Sequence, residues 1–275
     1  MTEPEVLPET ATDRQKTEEA FHDDWAKSMD IDEILVRESF ESPTALENQY
    51  VVQQMGDISG KKILELGCGA GEGSVYFALK GAQTVATDIS TGMIEVVHRV
   101  ADKYGVKVEA LRMTAEKIDF PNESFDMVYG NGVLHHVDFH KAVEEAARVL
   151  KPGGKAIFIE PLSYNPIINV YRHIAKTVRT PDERPFRFKD LKEMLPYFKG
   201  GHHKEFWFFT LFIFIYFYVI ERADPAKERY WKKVIKDAPR FSRMFNFLNG
   251  LDKFFLKVLP FLRYFCWNTV IVLEK

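Results

Sequence analysis

Apolar and polar positions alternate along residues 61–160 in a way that predicts strands and helices in turn. Short apolar runs predict strands at Lys62–Leu66, Gln83–Asp88, Val106–Arg112, Ser124–Gly130 and Lys155–Glu160. Helical spacing predicts helices between them, at Ser74–Lys80, Thr91–Tyr104 and Phe139–Leu150. Repeated strand–helix units of this length require parallel strands with right-handed crossovers. The pattern therefore predicts a doubly wound α/β sheet.

The region in front of this sheet has a different pattern. Residues 1–18 are polar and acidic, and they predict a flexible tail. In residues 19–58, Phe21, Trp25 and Met29 recur at helical spacing. This spacing predicts a short amphipathic helix that acts as a lid or as a packing element.

Beyond Glu160 the regular alternation ends. The pattern predicts, in chain order, a helix at Phe188–Phe198, a strand at Glu205–Leu211, an aromatic helix through Ile220, an amphipathic stretch at Phe241–Tyr264 interrupted at Gly250 and Pro260, and a closing strand at Trp267–Leu273. The apolar run Phe206–Ile220 is shorter than the roughly 20 residues that a transmembrane helix needs. The sequence therefore predicts an aromatic-rich helical insertion near the C-terminus.

The composition is that of a folded protein. With 275 residues, of which 46 % are hydrophobic, the chain can bury a full α/β core. Its two cysteines, Cys68 and Cys266, are too few for a disulfide framework, and the sequence predicts no metal site. No basic region followed by an apolar run opens the sequence, so a cytoplasmic location is expected.

Charge is distributed unevenly along the chain. Residues 1–160 hold 16 basic and 29 acidic side chains, whereas residues 161–275 hold 21 basic and 11 acidic ones. A basic, aromatic part is typical of proteins that meet an anionic surface, although solubility alone also accounts for it. Peripheral membrane contact and a homo-oligomer therefore stay open. Nucleic acid is not a predicted partner, because no basic module with a stacking surface precedes the sheet.

A glycine-rich turn between the first strand and its helix carries the strongest functional signal. Its sequence is Glu65-Leu-Gly67-Cys-Gly69-Ala-Gly71-Glu-Gly73. Glycine permits positive φ and lets a ligand approach the backbone closely. A dinucleotide site needs Gly-x-Gly-x-x-Gly, but here Glu72 takes the last position and would bring a carboxylate to a pyrophosphate. The turn therefore favours a nucleoside ligand without a diphosphate, such as S-adenosylmethionine (SAM).

Asp88 at the end of the second strand supports a nucleoside site. A carboxylate about 20 residues beyond such a glycine turn accepts hydrogen bonds from ribose hydroxyls, because the two strands end side by side. Alone, an aspartate in this position would be interpreted as a helix cap. Together with the glycine turn, it predicts a ribose contact.

These motifs resemble those of the class I SAM-dependent methyltransferases, and in particular the branch of quinone-biosynthesis methyltransferases. The blocks that carry the resemblance are Glu65–Gly73, Val85–Ser90, Ala115–Phe120 with Ser124–Val128, and Asn131–Val137 with Leu150–Gly154. The resemblance implies a Rossmann-like methyltransferase fold with a seven-stranded, mostly parallel sheet in the order 3-2-1-4-5-7-6. It also implies SAM as cofactor and S-adenosylhomocysteine as product.

The resemblance further implies which residues contact SAM. Glu65 and the carbonyl of Asn131 would lie at its ammonium group, Asp88 at its ribose, and Ile89 and Met93 on either side of the adenine. The full set implied is Glu65, Gly67, Cys68, Gly69, Gly71, Asp88, Ile89, Met93, Thr114, Ala115, Glu116 and Asn131. One residue departs from the pattern, because the family commonly has aspartate where this chain has Thr114.

Two residues are candidates for catalysis. His135 follows the fourth strand and Glu160 ends the fifth, so both lie at the predicted mouth of the site. A base is needed only where the acceptor must lose a proton, since in-line transfer from a sulfonium depends mainly on positioning. The alternatives are a packed structural histidine at position 135 and a cap or turn residue at position 160.

The predicted organisation follows from these motifs. It consists of a flexible tail at 1–18, a helical lid at 19–58, a SAM-binding α/β core at 59–160 and a substrate-binding region at 161–275. The aromatic C-terminal part predicts a hydrophobic or lipid-like small molecule as methyl acceptor, either in a pocket or at a membrane surface. Methylation of a soluble metabolite and a SAM-binding protein without catalysis are the alternatives.

Overall fold

The sheet has the strand order that the resemblance implies. A computed structural model describes residues 11–174, 180, 183–225 and 227–275 of the chain. The strands are β1 (Lys62–Leu66), β2 (Gln83–Asp88), β3 (Val108–Arg112), β4 (Phe125–Asn131), β5 (Leu150–Pro161), β6 (Gly200–Phe206) and β7 (Asn268–Glu274). Their order is β3-β2-β1-β4-β5-β7-β6, with β7 antiparallel to both of its neighbours. The predicted Rossmann-like, mostly parallel fold is confirmed.

Helices cover both faces of this sheet. They are α1 (Asp13–Lys27), α2 (Glu38–Glu41), α3 (Leu46–Met55), α4 (Glu72–Leu79), α5 (Thr91–Tyr104), α6 (Phe139–Val149), α7 (Pro166–Ile174), α8 (Phe188–Met194), α9 (Phe212–Val219), α10 (Tyr230–Lys236) and α11 (Ala238–Val258). One large apolar cluster joins α1, α3, α4, α5 and the C-terminal helices, and a second packs α6 and α8 against the opposite face. The arrangement leaves the carboxyl ends of the parallel strands as the shared edge where a site can form.

The first helix begins earlier than the predicted tail ends. Thr12 accepts a hydrogen bond from the backbone N–H of Gln15, whose side chain in turn accepts one from the Thr12 N–H. This capping box starts α1 at Asp13, and Glu18 is already buried. Residues 13–18 are therefore helical rather than a flexible tail, while residues 1–10 lie outside the described part of the chain.

The strand predicted at Glu205–Leu211 lies earlier in the chain, at Gly200–Phe206. The strand is β6, which pairs through its backbone with the antiparallel β7 although most of its side chains are polar. An edge strand needs only one paired neighbour and tolerates polar residues, so hydrophobicity is a poor guide to its position. The apolar residues that follow form a turn, in which Asp252 accepts backbone N–H bonds from Phe208, Phe209 and Thr210.

The predicted interruption at Gly250 is wrong. Helix α11 continues through Gly250 and ends at Val258, just before Pro260. Glycine inside a helix costs only about 1 kcal/mol, and here Phe241, Phe245 and Asp252 anchor the helix by burial on both sides of it. Proline ends the helix as predicted, because it lacks the N–H that the next turn requires.

Candidate active site

The glycine turn lies where the strand order reverses, between β1 and β4. Gly67, Gly69 and Gly71 all have positive φ, at 61°, 51° and 80°. A Cβ at position 67 would lie 2.7 Å from a methyl group of Val133, so the turn and the loop after β4 are in direct contact. Among the described residues, apart from the two chain neighbours, no atom lies within 4 Å of a Cβ placed at Gly69. The backbone is therefore exposed to a ligand at the middle of the turn.

Asp88 joins the second strand to this turn. Its Oδ2 accepts a hydrogen bond from Gly69 N at 2.9 Å, and its Oδ1 accepts one from Ser90 N at 3.0 Å. Burial raises the pKa of the Asp88 carboxyl, and the charge of nearby His22 opposes that effect. A carboxylate has about four acceptor positions, so two bonds leave capacity for the two ribose hydroxyls of a nucleoside.

The end of β3 completes the same edge. Met113 N donates to the carbonyl oxygen of Asp88 at 2.8 Å, which brings Thr114 and Ala115 beside the second strand. Ala115 is buried and Thr114 is partly buried. Glu116 is turned toward the loop after β4, since its Oε1 accepts from Asp138 N at 3.1 Å. The structure thus brings the three positions predicted for the adenine edge to the same edge of the sheet as Asp88.

Glu65 is fully enclosed beneath the turn. Its Oε2 accepts hydrogen bonds from the backbone N–H and the hydroxyl of Ser74, at 2.6 and 2.5 Å. Gly73 makes this contact feasible, because a Cβ there would lie 2.3 Å from Glu65 Oε1. Burial raises the pKa of the Glu65 carboxyl to about 8. A carboxyl with a raised pKa ionises more readily when a cation binds beside it.

The remaining predicted cofactor residues differ in exposure. Cys68 is buried, and its N–H donates to Thr87 O at 2.9 Å. Ile89 is partly buried, and Met93 is fully buried in the large apolar cluster. Asn131 is exposed at the carboxyl end of β4. Cys68, Ile89 and Asn131 lie on strand ends or adjoining turns, whereas Met93 lies in the first turn of α5 and reaches a ligand only if that ligand enters the covered interior.

His135 and Glu160 form a buried pair. His135 Nδ1 lies 2.7 Å from Glu160 Oε2, while Glu160 Oε1 accepts from Val133 N at 3.1 Å and Leu134 N at 2.7 Å. Glu160 is 0 % exposed, and burial raises the pKa of its carboxyl to about 8. Glu160 therefore does not face the mouth of the site. It fixes the loop after β4 and orients the imidazole of His135.

Helix α1 covers this edge of the sheet. Asp23 Oδ1 accepts from the Ser90 hydroxyl at 2.5 Å and from Gly92 N at 3.0 Å, at the start of α5. Glu19 pairs with Arg112 at the end of β3. Glu18 reaches the loop after β4, where its Oε1 lies 3.0 Å from His136 Nδ1. The helix is thus fastened to strand ends or turns on both sides of the glycine turn, in the position of a lid.

Sequence reasoning missed these lid residues. The apolar spacing of Phe21 and Trp25 identifies the helix, but acidic residues on its other side are equally typical of a solvated helix face. Arg229 was also missed, because it lies in a charged stretch that is equally typical of a solvated surface. Its guanidinium lies 3.4 Å from the Trp25 ring centroid. The only signal that could have indicated a second functional face is the helical spacing of Glu18 with His22 and of Glu19 with Asp23.

A cavity of about 210 Å³ opens beside His135. Its walls come from the loop after β4, from Arg14 of α1 and from the segment with Arg184 and Phe186. None of its lining residues belongs to the aromatic region from Phe206 to Tyr264. The predicted aromatic roof is therefore absent from this cavity, and several of those aromatics, such as Phe217 and Phe245, are packed in the core instead.

Comparisons with known proteins agree with this geometry. Residues 64–158 match a family described as a methyltransferase domain. A ubiquinone biosynthesis O-methyltransferase of Alkalilimnicola ehrlichii is 36 % identical over 119 residues, which cover 42 % of this chain and 48 % of that protein. A demethylmenaquinone methyltransferase of Clavibacter sepedonicus is 38 % identical over 106 residues, covering 38 % and 42 %. The chain thus spans about half the length of the curated relatives it matches.

A solved structure extends the likeness beyond the core. The crystal structure of a SAM-dependent methyltransferase from Thermotoga maritima superposes with a TM-score of 0.54 over 95 % of this chain and 99 % of that chain, at 18 % identity. Residues 64–158 thus match the methyltransferase-domain family, and the described chain shares the fold of this SAM-dependent methyltransferase. The predicted resemblance to the quinone-biosynthesis methyltransferases is confirmed, and SAM is the cofactor of this class.

The raised pKa of Glu65 leads to a prediction about SAM binding. If the SAM ammonium lies beside Glu65, it favours the ionised carboxyl, so binding should release up to about one proton below pH 8. Affinity should accordingly rise with pH up to about 8 and fall above it, where the SAM amino group loses the proton that makes it a cation. Calorimetry at pH 6.5 in two buffers of different ionisation enthalpy measures the release, because an α-amino group with a pKa of about 7.7–8.0 is already protonated there. Glu65→Gln should abolish the release, and proton uptake by the wild type would contradict the placement.

Proposed function

We propose that the protein transfers a methyl group from SAM to a hydrophobic, lipid-like small molecule. The observation that carries the substrate class is a set of exposed apolar side chains at the C-terminal helices, here called the apolar surface. We define this apolar surface by its exposed members, which are Phe212, Ile215, Tyr218, Val219, Ile220, Phe247, Phe254, Val258, Leu259, Phe261, Tyr264 and Phe265. Exposed apolar patches of this extent are typical of lipid or protein contact.

Ring contacts join the two helices that form the apolar surface. The Phe209 ring lies 6.0 Å from Phe212 at the start of α9 and 5.3 Å from Phe255 on α11. Phe247 and Phe254 are 66 % and 60 % exposed and lie two helical turns apart on α11, so they share one face. Phe209 therefore links the start of α9 to the part of α11 that carries Phe254.

Basic side chains lie next to the apolar surface. Lys253 and Lys257 are exposed and adjoin Phe254 and Val258 in sequence, and Arg263 is exposed beside Tyr264. Apolar side chains that enter a lipid interface beside lysines that meet anionic headgroups are typical of peripheral membrane helices. Within the described ranges, none of the helices has the length and apolar character required to cross a bilayer. We infer contact with the surface of a membrane that holds the acceptor.

The names of the relatives support a lipid-like acceptor. One is a ubiquinone biosynthesis O-methyltransferase and the other a demethylmenaquinone methyltransferase. We infer that the acceptor here is a ring compound with an apolar tail. The ring would enter the cavity beside His135, where His135 accepts a proton and Glu160 holds the imidazole in place.

The test combines methyl transfer with membrane binding. We expect label from [methyl-³H]SAM to enter a long-tailed hydroxylated ring in anionic vesicles far faster than the same ring without a tail. Phe247→Ser with Phe254→Ser should weaken vesicle binding at least about tenfold, because burying a phenylalanine side chain contributes about 1.5–3 kcal/mol. SAM affinity should be unchanged, and salt should release the wild type from the vesicles.

The control is Val170→Ser on α7, which is also exposed but lies outside the apolar surface as defined. It should leave vesicle binding intact. Equal rates on the tailed and tailless rings would replace the proposal with a soluble acceptor. SAM binding without transfer to either ring would indicate a protein that binds SAM but does not catalyse.

A further inference from the structure

Three side chains above the carboxyl end of β4 have the composition of a metal site. His135, His136 and Glu183 each offer one ligand atom, and these atoms lie within 4.8 Å of one another. His136 Nε2 is 3.9 Å from Glu183 Oε1. The two histidines are adjacent in sequence, and the fold brings Glu183 to them from a distant segment. We propose that they bind a divalent transition-metal ion, which would draw them to ligand distances of about 2.0–2.2 Å.

Both imidazoles are already oriented as metal-binding histidines are. Each directs Nδ1 to a carboxylate, His135 to Glu160 at 2.7 Å and His136 to Glu18 at 3.0 Å. Metal-bound histidines usually donate the second ring N–H to a carboxylate, which fixes the tautomer and the ring orientation. With Nδ1 held in this way, Nε2 is the nitrogen that would coordinate the ion in both rings. This double arrangement is the strongest support for the site.

The local charge also favours a cation. The carboxyl groups of Glu18, Glu160 and Glu183 all have side chains less than one-tenth exposed and surround the two imidazoles. Among the described residues, Arg14 and Arg184 are cations near them, but the Arg14 guanidinium donates to the carbonyl oxygens of His135 and Val137, and that of Arg184 pairs with Asp190. His22 Nε2 lies 3.7 Å from Glu18 Oε2. Glu18 Oε2 is buried without a hydrogen-bond donor. A divalent ion would stabilise this concentration of buried acidic groups.

The ligand set indicates the class of ion. Two imidazoles and one carboxylate with further positions open suit Fe²⁺, Mn²⁺, Co²⁺ or Zn²⁺, and the absence of thiolates disfavours a closed structural site. Because the cavity beside His135 adjoins the site, an acceptor hydroxyl can take an open position. A metal-bound hydroxyl loses its proton at a lower pH than a free one.

The role of the ion in removing the proton of the acceptor hydroxyl rests on the proposed methyl transfer, whereas the binding of the ion does not. With the ion bound, the acceptor hydroxyl gives its proton to solvent. Its oxygen then forms the new bond to the methyl carbon while the bond from that carbon to the sulfonium sulfur breaks. The sulfur keeps the electron pair, which yields S-adenosylhomocysteine. In this state His135 serves as a ligand, and the ion replaces it as the group that promotes loss of the proton.

Cobalt binding tests the site without any assay of activity. Chelator-treated protein titrated with Co²⁺ should bind one equivalent, seen as visible absorption bands and as heat in calorimetry. His136→Ala and Glu183→Gln should each weaken Co²⁺ binding at least tenfold with SAM affinity retained, which shows that the variants are folded. The matched controls are His140→Ala and Glu193→Gln, an ion pair 3.5 Å apart outside the cluster, and both should bind Co²⁺ like the wild type.

The possible results test the metal site and the methyl-transfer reaction separately. Failure of the wild type to bind Co²⁺ at millimolar concentration, or unchanged affinity in His136→Ala and Glu183→Gln, would overturn the site. Full methyl transfer by chelator-treated protein would overturn the catalytic role of the ion while the proposed function stands. Specific Co²⁺ binding without methyl transfer to any ring would support the site and remove the proposed function.

Discussion

Replacing His135 with alanine is expected to lower kcat for methyl transfer about 10²–10⁴-fold, the range typical of a lost proton acceptor. SAM affinity should remain at the wild-type value, since the residues predicted at the cofactor lie on the glycine turn and the ends of the neighbouring strands. The expectation rests on the 2.7 Å contact with Glu160, which orients the imidazole, and on the cavity that opens beside it. Single-turnover rates and calorimetry with the same preparation measure the two effects separately.

Glu160→Gln and His98→Ala complete this experiment. Glutamine can still accept from Val133 N and Leu134 N, but it presents an amide instead of a carboxylate to His135 Nδ1. It should therefore lower kcat with little change in KM. His98 is exposed on α5 and does not line the cavity beside His135, so its replacement should have no effect. A His135→Ala rate within a few fold of wild type would show that positioning of the acceptor suffices and that the pair is structural.

The same variant distinguishes the two roles of His135. Where His135 acts as a base, chelator-treated wild type should turn over normally and His135→Ala should not. Where it acts as a metal ligand, chelation should reproduce most of the loss caused by His135→Ala. The comparison needs only one variant, because the bond between Glu160 and His135 is compatible with both roles.

The central half of the fold could be predicted because its signals are local. Each of β1, β2 and β4 is a short buried run followed by a turn, and parallel pairing leaves few arrangements for such units. The glycine turn is similarly local, since Gly67 and Gly71 need positive φ whatever the rest of the chain does. The edge at which the cofactor residues meet then follows from the direction of the strands.

The rest depends on contacts between distant parts of the chain. The position of β6 is set by pairing with β7, which lies more than sixty residues further on in the sequence. The acidic residues of α1 become site residues only because the helix packs across the strand ends. Glu160 is a further example. The topology places it at the end of β5 as predicted, but the orientation of its side chain depends on the loop after β4 that encloses it.

Asp88 has two separate tasks in the structure, and both affect the strength of cofactor binding. It accepts hydrogen bonds from Gly69 N and Ser90 N, and so holds the glycine turn and the start of α5 in place. It is also the predicted acceptor for the ribose hydroxyls. Alanine would remove both sets of bonds, whereas asparagine keeps one acceptor oxygen and replaces the other with a donor.

Asp88→Ala is expected to weaken SAM binding by about 1–3 kcal/mol, the range for hydrogen bonds to a charged group. Asp88→Asn should fall between alanine and wild type, since one acceptor oxygen remains. Calorimetry with SAM and with S-adenosylhomocysteine should show the same loss for both, because the two share the ribose. The control is Asp102→Ala, an exposed aspartate at the other end of α5. If folded Asp88→Ala binds SAM as tightly as the wild type, Asp88 does not contact the ribose, and its bonds to Gly69 and Ser90 serve only the local fold.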